Sequence, residues 1–339
     1  MSLNLVKNTK HISPASKKAG LFNSRKETFK KTKTNNMASY YNNNTVLYLN
    51  GAFVKATEAK MDFYSQSLHY GYSVFEGIRS YKTVNGATKI FKAIEHYERL
   101  KVSAQSLNLP YNWSTGELID ITYKLLAKNH LQDAYIRPVV YAPANMSFNP
   151  NTESFIVIEA WEMAPFLGDK LLRVMGSSFE RPNPKGFKIH AKAAGHYVNS
   201  IMASHEAKAA GFDEALLNDM NGYVAEAPGA NFFYEKDGKL YTPGLGNILP
   251  GITRATVLEL CDELHISVEE KMFTKEEVYG ADGAFFCGTA AELIGLASLD
   301  NISFTMPWEN TVSKLLQDTY KNLVVENKKE LINEMTGVE

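Results

Sequence analysis

Four short runs in this sequence carry residues whose types can do chemistry together. The first is KIHAKAAGHYVNS at 188–200, where Lys192 sits among alanines and a glycine. A lysine taken out of water can act as a nucleophile toward an aldehyde. The second is GYVAEAPGANFF at 222–233, in which Glu226 is flanked by small or apolar residues. A carboxylate buried there needs a cationic or donor partner, and a protonated pyridine nitrogen is such a partner. The third is LPGITR at 249–254. Pro250 and Gly251 lead straight into a helix pattern at Ile252, Thr253 and Arg254, and free N–H groups at a helix start suit a phosphate. The fourth is FFCGTAAEL at 285–293, where Gly288, Thr289 and Ala290 follow an apolar strand and offer a second N–H cradle with a hydroxyl.

Taken alone, each run has an ordinary reading: a solvated lysine on a loop, a glutamate paired with a nearby arginine, a helix start without a ligand, a strand-to-helix turn. Taken together, a nucleophilic amine, a buried acid and two phosphate cradles are the parts of a pyridoxal phosphate site. Other cofactor chemistries find no support. There is no GxGxxG, no P-loop lysine motif and no CxxC. The eight histidines are scattered, and His96, His190 and His196 read as structural. No metal site is expected.

These runs need a frame to bring them together. Five Asn-Gly or Asp-Gly pairs mark hairpins, at Asn50-Gly51, Asn85-Gly86, Asn221-Gly222, Asp237-Gly238 and Asp282-Gly283. The runs 45–54 and 74–91 read as strand–turn–strand, 93–107 as a helix, and Ser114 with Glu117 as a capping box opening another. Strand-like runs at 134–142 and 154–161 complete a small α+β domain over 45–161. Pro and Gly in EMAPFLGDK predict a linker at 162–170. Strand-like runs at 171–179, 214–219, 230–243 and 283–289, with helices near 196–210, 252–264 and 308–327, predict a larger, partly barrel-like domain over 171–339. The fold class is therefore mixed α/β, of the α+β kind.

Composition narrows the function classes. The chain has 339 residues, 45% of them hydrophobic, enough for two domains. Residues 1–36 carry nine Lys or Arg and one acid, against chain totals of 36 and 37, so the remainder is near −9. An acidic body has no electrostatic footprint for nucleic acid, and no apolar run is long enough to span a bilayer. Residues 1–44 read as a basic extension, either a disordered tail or a transit peptide, with Met37 as an alternative start. The two cysteines, Cys261 and Cys287, fit a reducing compartment. The expected location is cytoplasmic, or mitochondrial or plastid if the extension is a transit peptide.

Seven ordered runs, SLHYGYSVFEGIRSY, HYERL, AYIRP, AKAAGHYVNS, NGYVAEAPGANFF, LPGITR and GTAAEL, resemble the class IV, fold type IV pyridoxal phosphate aminotransferases, in particular those acting on branched-chain amino acids. The resemblance spans about Thr45 to Asn310. It implies a two-domain fold with the cofactor between the domains, at least a homodimer, and ping-pong transamination between leucine, isoleucine or valine and 2-oxoglutarate. It implies that Lys192 forms the Schiff base, that Tyr197 bonds the cofactor's phenolic oxygen, and that Glu226 pairs with the ring nitrogen. Arg99 is implied for the phosphate, with Ile252, Thr253 and Thr289 completing its cup and Leu249 against the ring. For substrate it implies Tyr135 and Arg137 at carboxylates, Thr289 and Ala290 as N–H donors, and Tyr70, Phe75 and Arg79 lining the pocket, Tyr70 from a second subunit.

Three residues depart from the pattern common in bacterial relatives: Met163 and Phe166 in the linker and Phe148 in NMSFNP. They leave the preferred substrate open. Two other enzymes of the same fold, a D-amino-acid aminotransferase and an aminodeoxychorismate lyase, also remain open, as does a scaffold without activity. Arg137 and the FEGIR run favour the branched-chain reading.

Overall fold

A computed structural model of the chain describes residues 40–163 and 170–326. The expectations for the basic extension up to residue 39 and for Phe166 lie outside the described residues. In the first half the elements are β1 (Val46–Leu49), β2 (Ala52–Lys55), α1 (Gln66–Tyr70), β3 (Ser73–Phe75), β4 (Ile78–Lys82), β5 (Thr88–Ile90), α2 (Ala93–Ser106), α3 (Thr115–Lys128), β6 (Ala134–Tyr141) and β7 (Phe155–Trp161). The strands form a seven-stranded antiparallel sheet in the order β2-β1-β7-β6-β4-β5, with β3 also on β6. Strand alternation divides the β6–β7 ladder cleanly. Ile136, Val140, Ile156, Ile158 and Ala160 join Tyr97, Leu100, Leu118 and Leu125 from α2 and α3 in one core. The opposite face carries Tyr135, Arg137, Val139, Val157, Glu159 and Trp161.

The second half runs β8 (Leu172–Glu180), α4 (Tyr197–Ala209), β9 (Glu214–Asn218), β10 (Val224–Glu226), β11 (Asn231–Lys236), β12 (Lys239–Thr242), α5 (Ile252–Glu263), β13 (Val268–Glu270), α6 (Lys275–Val278), β14 (Gly283–Gly288), β15 (Glu292–Leu299), β16 (Ile302–Ser303) and α7 (Val312–Val324). Its sheet follows β10-β9-β8-β15-β14-β11-β12-β13, and β10 also pairs with β11. That extra pairing closes six strands into a ring, and closure removes exposed strand edges. It is made by one residue pair, Glu226 opposite Asn231. Phe232, Tyr234, Ala284, Phe286, Ile294 and Leu296 fill the inside of the ring. The alternate residues Phe233, Phe285, Cys287 and Leu293 face out and are covered by α5 and α7. The barrel-like character expected for this half is borne out.

Four of the five Gly pairs sit in hairpin turns. Asn50-Gly51 and Asp237-Gly238 have both residues at positive φ, the conformation a tight antiparallel turn requires. Asp282-Gly283 instead starts β14 and makes no turn, while Asp300 and Asn301 supply a positive-φ turn that carries no glycine. Ser114 does accept a hydrogen bond from the Glu117 N–H, but the full reciprocal capping box is at Thr274 and Glu277. GTAAEL does not turn from strand to helix. It joins β14 to β15, two antiparallel strands.

Phe232 is fully buried inside the ring, against Phe273 and Phe286. Phe232→Ala should lower unfolding stability by about 3–5 kcal/mol, read as a lowered denaturant midpoint. A shift under about 1 kcal/mol would show that the ring interior collapses onto the cavity.

Candidate active site

The main chain around Lys192 is pinned from three sides. Its N–H donates to Ser103 Oγ on α2 at 3.0 Å, and its carbonyl accepts from Phe75 N at 3.1 Å. Ala193 pairs with Val74 and is buried in the first core. Gly195 N donates to Gly71 O at 3.1 Å, and a Cβ on Gly71 would stand 2.9 Å from Gly195 Cα. The small residues after Lys192 therefore serve backbone packing against β3 and the end of α1, a role their sequence context does not reveal.

The Lys192 side chain ends 2.8 Å from Tyr197 Oη at the start of α4. Its ammonium lies 5.2 Å from the Phe75 ring centre, and Phe75 packs edge-on to Tyr197 at 4.8 Å. Arg137 also lies over the Phe75 ring, with its guanidinium carbon 4.5 Å from the ring centre. Arg137 Nη2 donates to Tyr135 Oη at 2.9 Å, and Arg137 Nε is buried without a partner among the described residues. A Cβ on Gly77 would fall 2.0 Å from Tyr135 Oη, so the glycine of FEGIR makes room for that phenol.

Glu226 lies where the ring closes and is buried. Oε1 is 2.9 Å from Arg181 Nε and accepts from Leu249 N at 3.2 Å, while Oε2 accepts from Asn231 Nδ2 at 3.0 Å. Burial pushes this carboxyl above its ordinary value, and Arg181 opposes that shift. The same Asn231 amide donates to Leu249 O at 3.0 Å. A Cβ on Gly251 would stand 1.9 Å from Asn231 Oδ1, so only glycine fits there. Gly251 is the N-cap of α5 and offers no side-chain cap, which leaves the first N–H groups of that helix to a ligand. The acid and the helix start are thus tied through one asparagine.

Arg99 is held as a fork. Its Nε and Nη2 donate to Glu76 Oε1 and Oε2 at 2.7 and 2.8 Å, and Nη1 donates to Pro250 O at 2.9 Å. His96 Nδ1 is 2.8 Å from Glu76 Oε2. Burial alone raises the Glu76 carboxyl, yet Arg99 and His96 outweigh it and hold that group well below the usual carboxylate range. Burial pushes the His96 imidazole below its ordinary value. Pro250 is thereby the link from Arg99 to the α5 start, where Ile252 and Thr253 sit.

The remaining expected residues fall at the edges. Thr289 and Ala290 form the turn from β14 to β15. Just beyond it Glu292 adopts φ of +54° and is 3.0 Å from Arg79 Nη1, with Tyr81 Oη donating to it at 2.9 Å. Arg79 Nη2 also donates to the Met163 carbonyl at 3.3 Å. Tyr70 is 48% exposed, and its ring packs on Phe148, itself 91% exposed. Sequence reasoning misses Arg181, Glu76, Asn231 and Glu292. The glutamate of FEGIR stands in a quoted run, but Arg181 stands alone before a proline and carries no local signal.

The family pattern described as Amino-transferase class IV matches residues 73–299. The branched-chain-amino-acid aminotransferase of Salmonella typhimurium LT2 is 37% identical over 285 residues, covering 82% of this chain and 92% of that protein. A branched-chain aminotransferase from the archaeon Thermoproteus uzoniensis, solved with norvaline, superposes with a TM-score of 0.81 at 34% identity, covering 85% of this chain and 97% of the other. The branched-chain amino acid aminotransferase of Thermobaculum terrenum, solved in its PLP form, gives 0.80 at 32% identity, covering 86% and 97%. The matched residues 73–299 include all four chemistry-bearing runs, and the chain belongs to the class IV aminotransferases.

Proposed function

We propose that this chain is a branched-chain amino acid aminotransferase, moving an amino group between L-leucine, L-isoleucine or L-valine and 2-oxoglutarate with pyridoxal 5′-phosphate as cofactor. The observation that carries the reading is the Lys192–Tyr197 contact at 2.8 Å beside a buried Glu226. The residues present fit the cofactor. Glu226 keeps spare lone pairs on Oε2 for a protonated ring nitrogen, and Arg181 favours its ionised form. Arg99, the N–H groups of Ile252 and Thr253, and Thr289 suit the phosphate, with Leu249 beside the ring. When bound, pyridoxal phosphate supplies the carbonyl carbon that takes up the amino group and a ring that accepts the electrons left at the substrate Cα.

The chain's own residues do the rest. Lys192 Nζ is the base that takes the Cα proton, and Tyr197 Oη holds that amine in place. Phe75 and the apolar residues of the site face accept a branched side chain. Arg137 and Tyr135 donate to the side-chain carboxylate of glutamate, and the N–H groups of Thr289 and Ala290 donate to the α-carboxylate. Arg79, paired with Glu292, stiffens the turn that carries them.

Two further parts belong to this reading. The small domain is 45–161 and the large one 171–339, joined by 162–170. The enzyme is a homodimer, supported by a cluster of exposed apolar side chains: Phe63 is 78% and Phe148 91% exposed, with Tyr64, Leu68 and Tyr70 on and beside α1. Tyr70 then serves the site of the second copy. Both cysteines are free and buried, in keeping with a reducing, cytoplasmic setting.

The purified protein should be yellow. Its visible cofactor band should fade on adding L-leucine and return on adding 2-oxoglutarate; a band unmoved by leucine would move the substrate to a D-amino acid or a chorismate-derived amine. Lys192→Ala should abolish transamination while circular dichroism stays native, and appreciable turnover would remove Lys192 from its role. Arg137→Ala should raise KM for glutamate and 2-oxoglutarate by about tenfold or more, and far more than for leucine. Equal losses would make Arg137 a structural residue.

A further inference from the structure

The ladder between β6 and β7 places Glu159 directly opposite Arg137. Cross-strand partners share a face of the sheet. Here that face is the one carrying Tyr135 and Arg137, since Ile136, Ile158 and Ala160 go to the core on the other side. Neighbouring pairs on the same face are Tyr135 with Trp161, whose rings are 5.1 Å apart, and Val139 with Val157. On the β1 side the neighbouring ladder is apolar, with Leu49 opposite Val157. Glu159 is half-buried, and it makes no direct ion pair with Arg137 or with another described residue. In the sequence it is a single carboxylate inside FIVIEAW, an otherwise apolar run.

We infer that Glu159 is a specificity-determining residue whose charge weakens the hold of Arg137 on a substrate side-chain carboxylate. The inference rests on the branched-chain aminotransferase reading above, because that reaction asks one pocket to take both an apolar and an anionic side chain. Arg79, opposite Tyr135 on the same face, is already paired with Glu292; an unbalanced Arg137 guanidinium would favour the dicarboxylate strongly and leave a net charge beside a leucine side chain. A carboxylate on the adjacent strand balances that charge. An apolar substrate then meets a wall with no net charge, and a dicarboxylate meets attraction from Arg137 and repulsion from Glu159 together. Burial pushes the Glu159 carboxyl above its ordinary value, and Arg137 opposes that shift.

The test compares wild-type holoenzyme with Glu159→Gln and Glu159→Ala, which both remove the charge, and with Glu159→Asp, which keeps it. The two half-reactions are run separately, with L-leucine and with L-glutamate, and binding of glutarate is compared with that of 4-methylpentanoate by calorimetry. The ratio of kcat/KM for glutamate to that for leucine should rise about fivefold in both charge-removing variants, carried by KM, with glutarate gaining over 4-methylpentanoate. Glu159→Asp should stay near the wild-type ratio. Ratios unchanged or falling in Gln and Ala, or a rise shared by Asp, would overturn the inference. A wild-type enzyme that does not react with leucine at all would instead overturn the underlying reading. Of the two charge-removing variants, one that folds and loads cofactor suffices for the comparison.

Discussion

A carboxylate out of water is the constraint around which this fold is arranged. Glu226 is buried at the point where six strands close on themselves, and Asn231, its partner in that closure, also bonds its side chain. An ionised carboxylate there is costly unless it is paired and hydrogen-bonded. Arg181 supplies the charge from the end of β8, Asn231 and Leu249 supply donors, and Asn231 reaches on to the loop before α5. One buried group thus joins the closure of the ring, the start of a helix and the end of a parallel strand. The nearby His196 feels the same arrangement: burial first and Arg181 second bring its imidazole down to about 4, so it stays neutral near Arg181.

The first half of the chain meets this assembly through one helix face. His96, Arg99 and Ser103 lie three and seven residues apart along α2, spacings that share a side of a helix. His96 and Arg99 converge on Glu76, and Ser103 holds the Lys192 backbone. Arg99 then reaches Pro250 in the second half. The stripe has polar members where an amphipathic pattern would put apolar ones. All three face the same small region, where His96 and Ser103 are buried and Arg99 is half-buried without being part of the hydrophobic core.

Much of this is legible in the sequence because its causes are local. The helix start after Pro250-Gly251, the hairpins at Asn50-Gly51 and Asp237-Gly238, and the strand ladder of FFCG follow from turn chemistry and alternation within a few residues. The Lys192–Tyr197 contact spans only five residues, yet residue types alone do not show it, and Tyr197 enters only through the family resemblance. What stays hidden depends on distant partners. Arg181 and Glu226 are 45 positions apart in the chain and meet only because β8, β9 and β10 are neighbours in the ring. Glu159 gains its meaning only from the register of β7 on β6. The link after β14 is ambiguous because three small residues after a strand, Thr289, Ala290 and Ala291, fit a helix start as well as a tight link between strands. Only the pairing of β14 with β15 decides between them.

The seam between Gly71 and Gly195 has a consequence for timing. With the Lys192 main chain fixed at its N–H, its carbonyl and the glycine three residues on, the amine is a head on a tether of four carbon–carbon torsions. Its position is set by rotation about those bonds and by its hydrogen bond to Tyr197, and not by loop motions in microseconds. Motions that reposition the amine are therefore side-chain rotations, faster in kind than the movements of loops and domains.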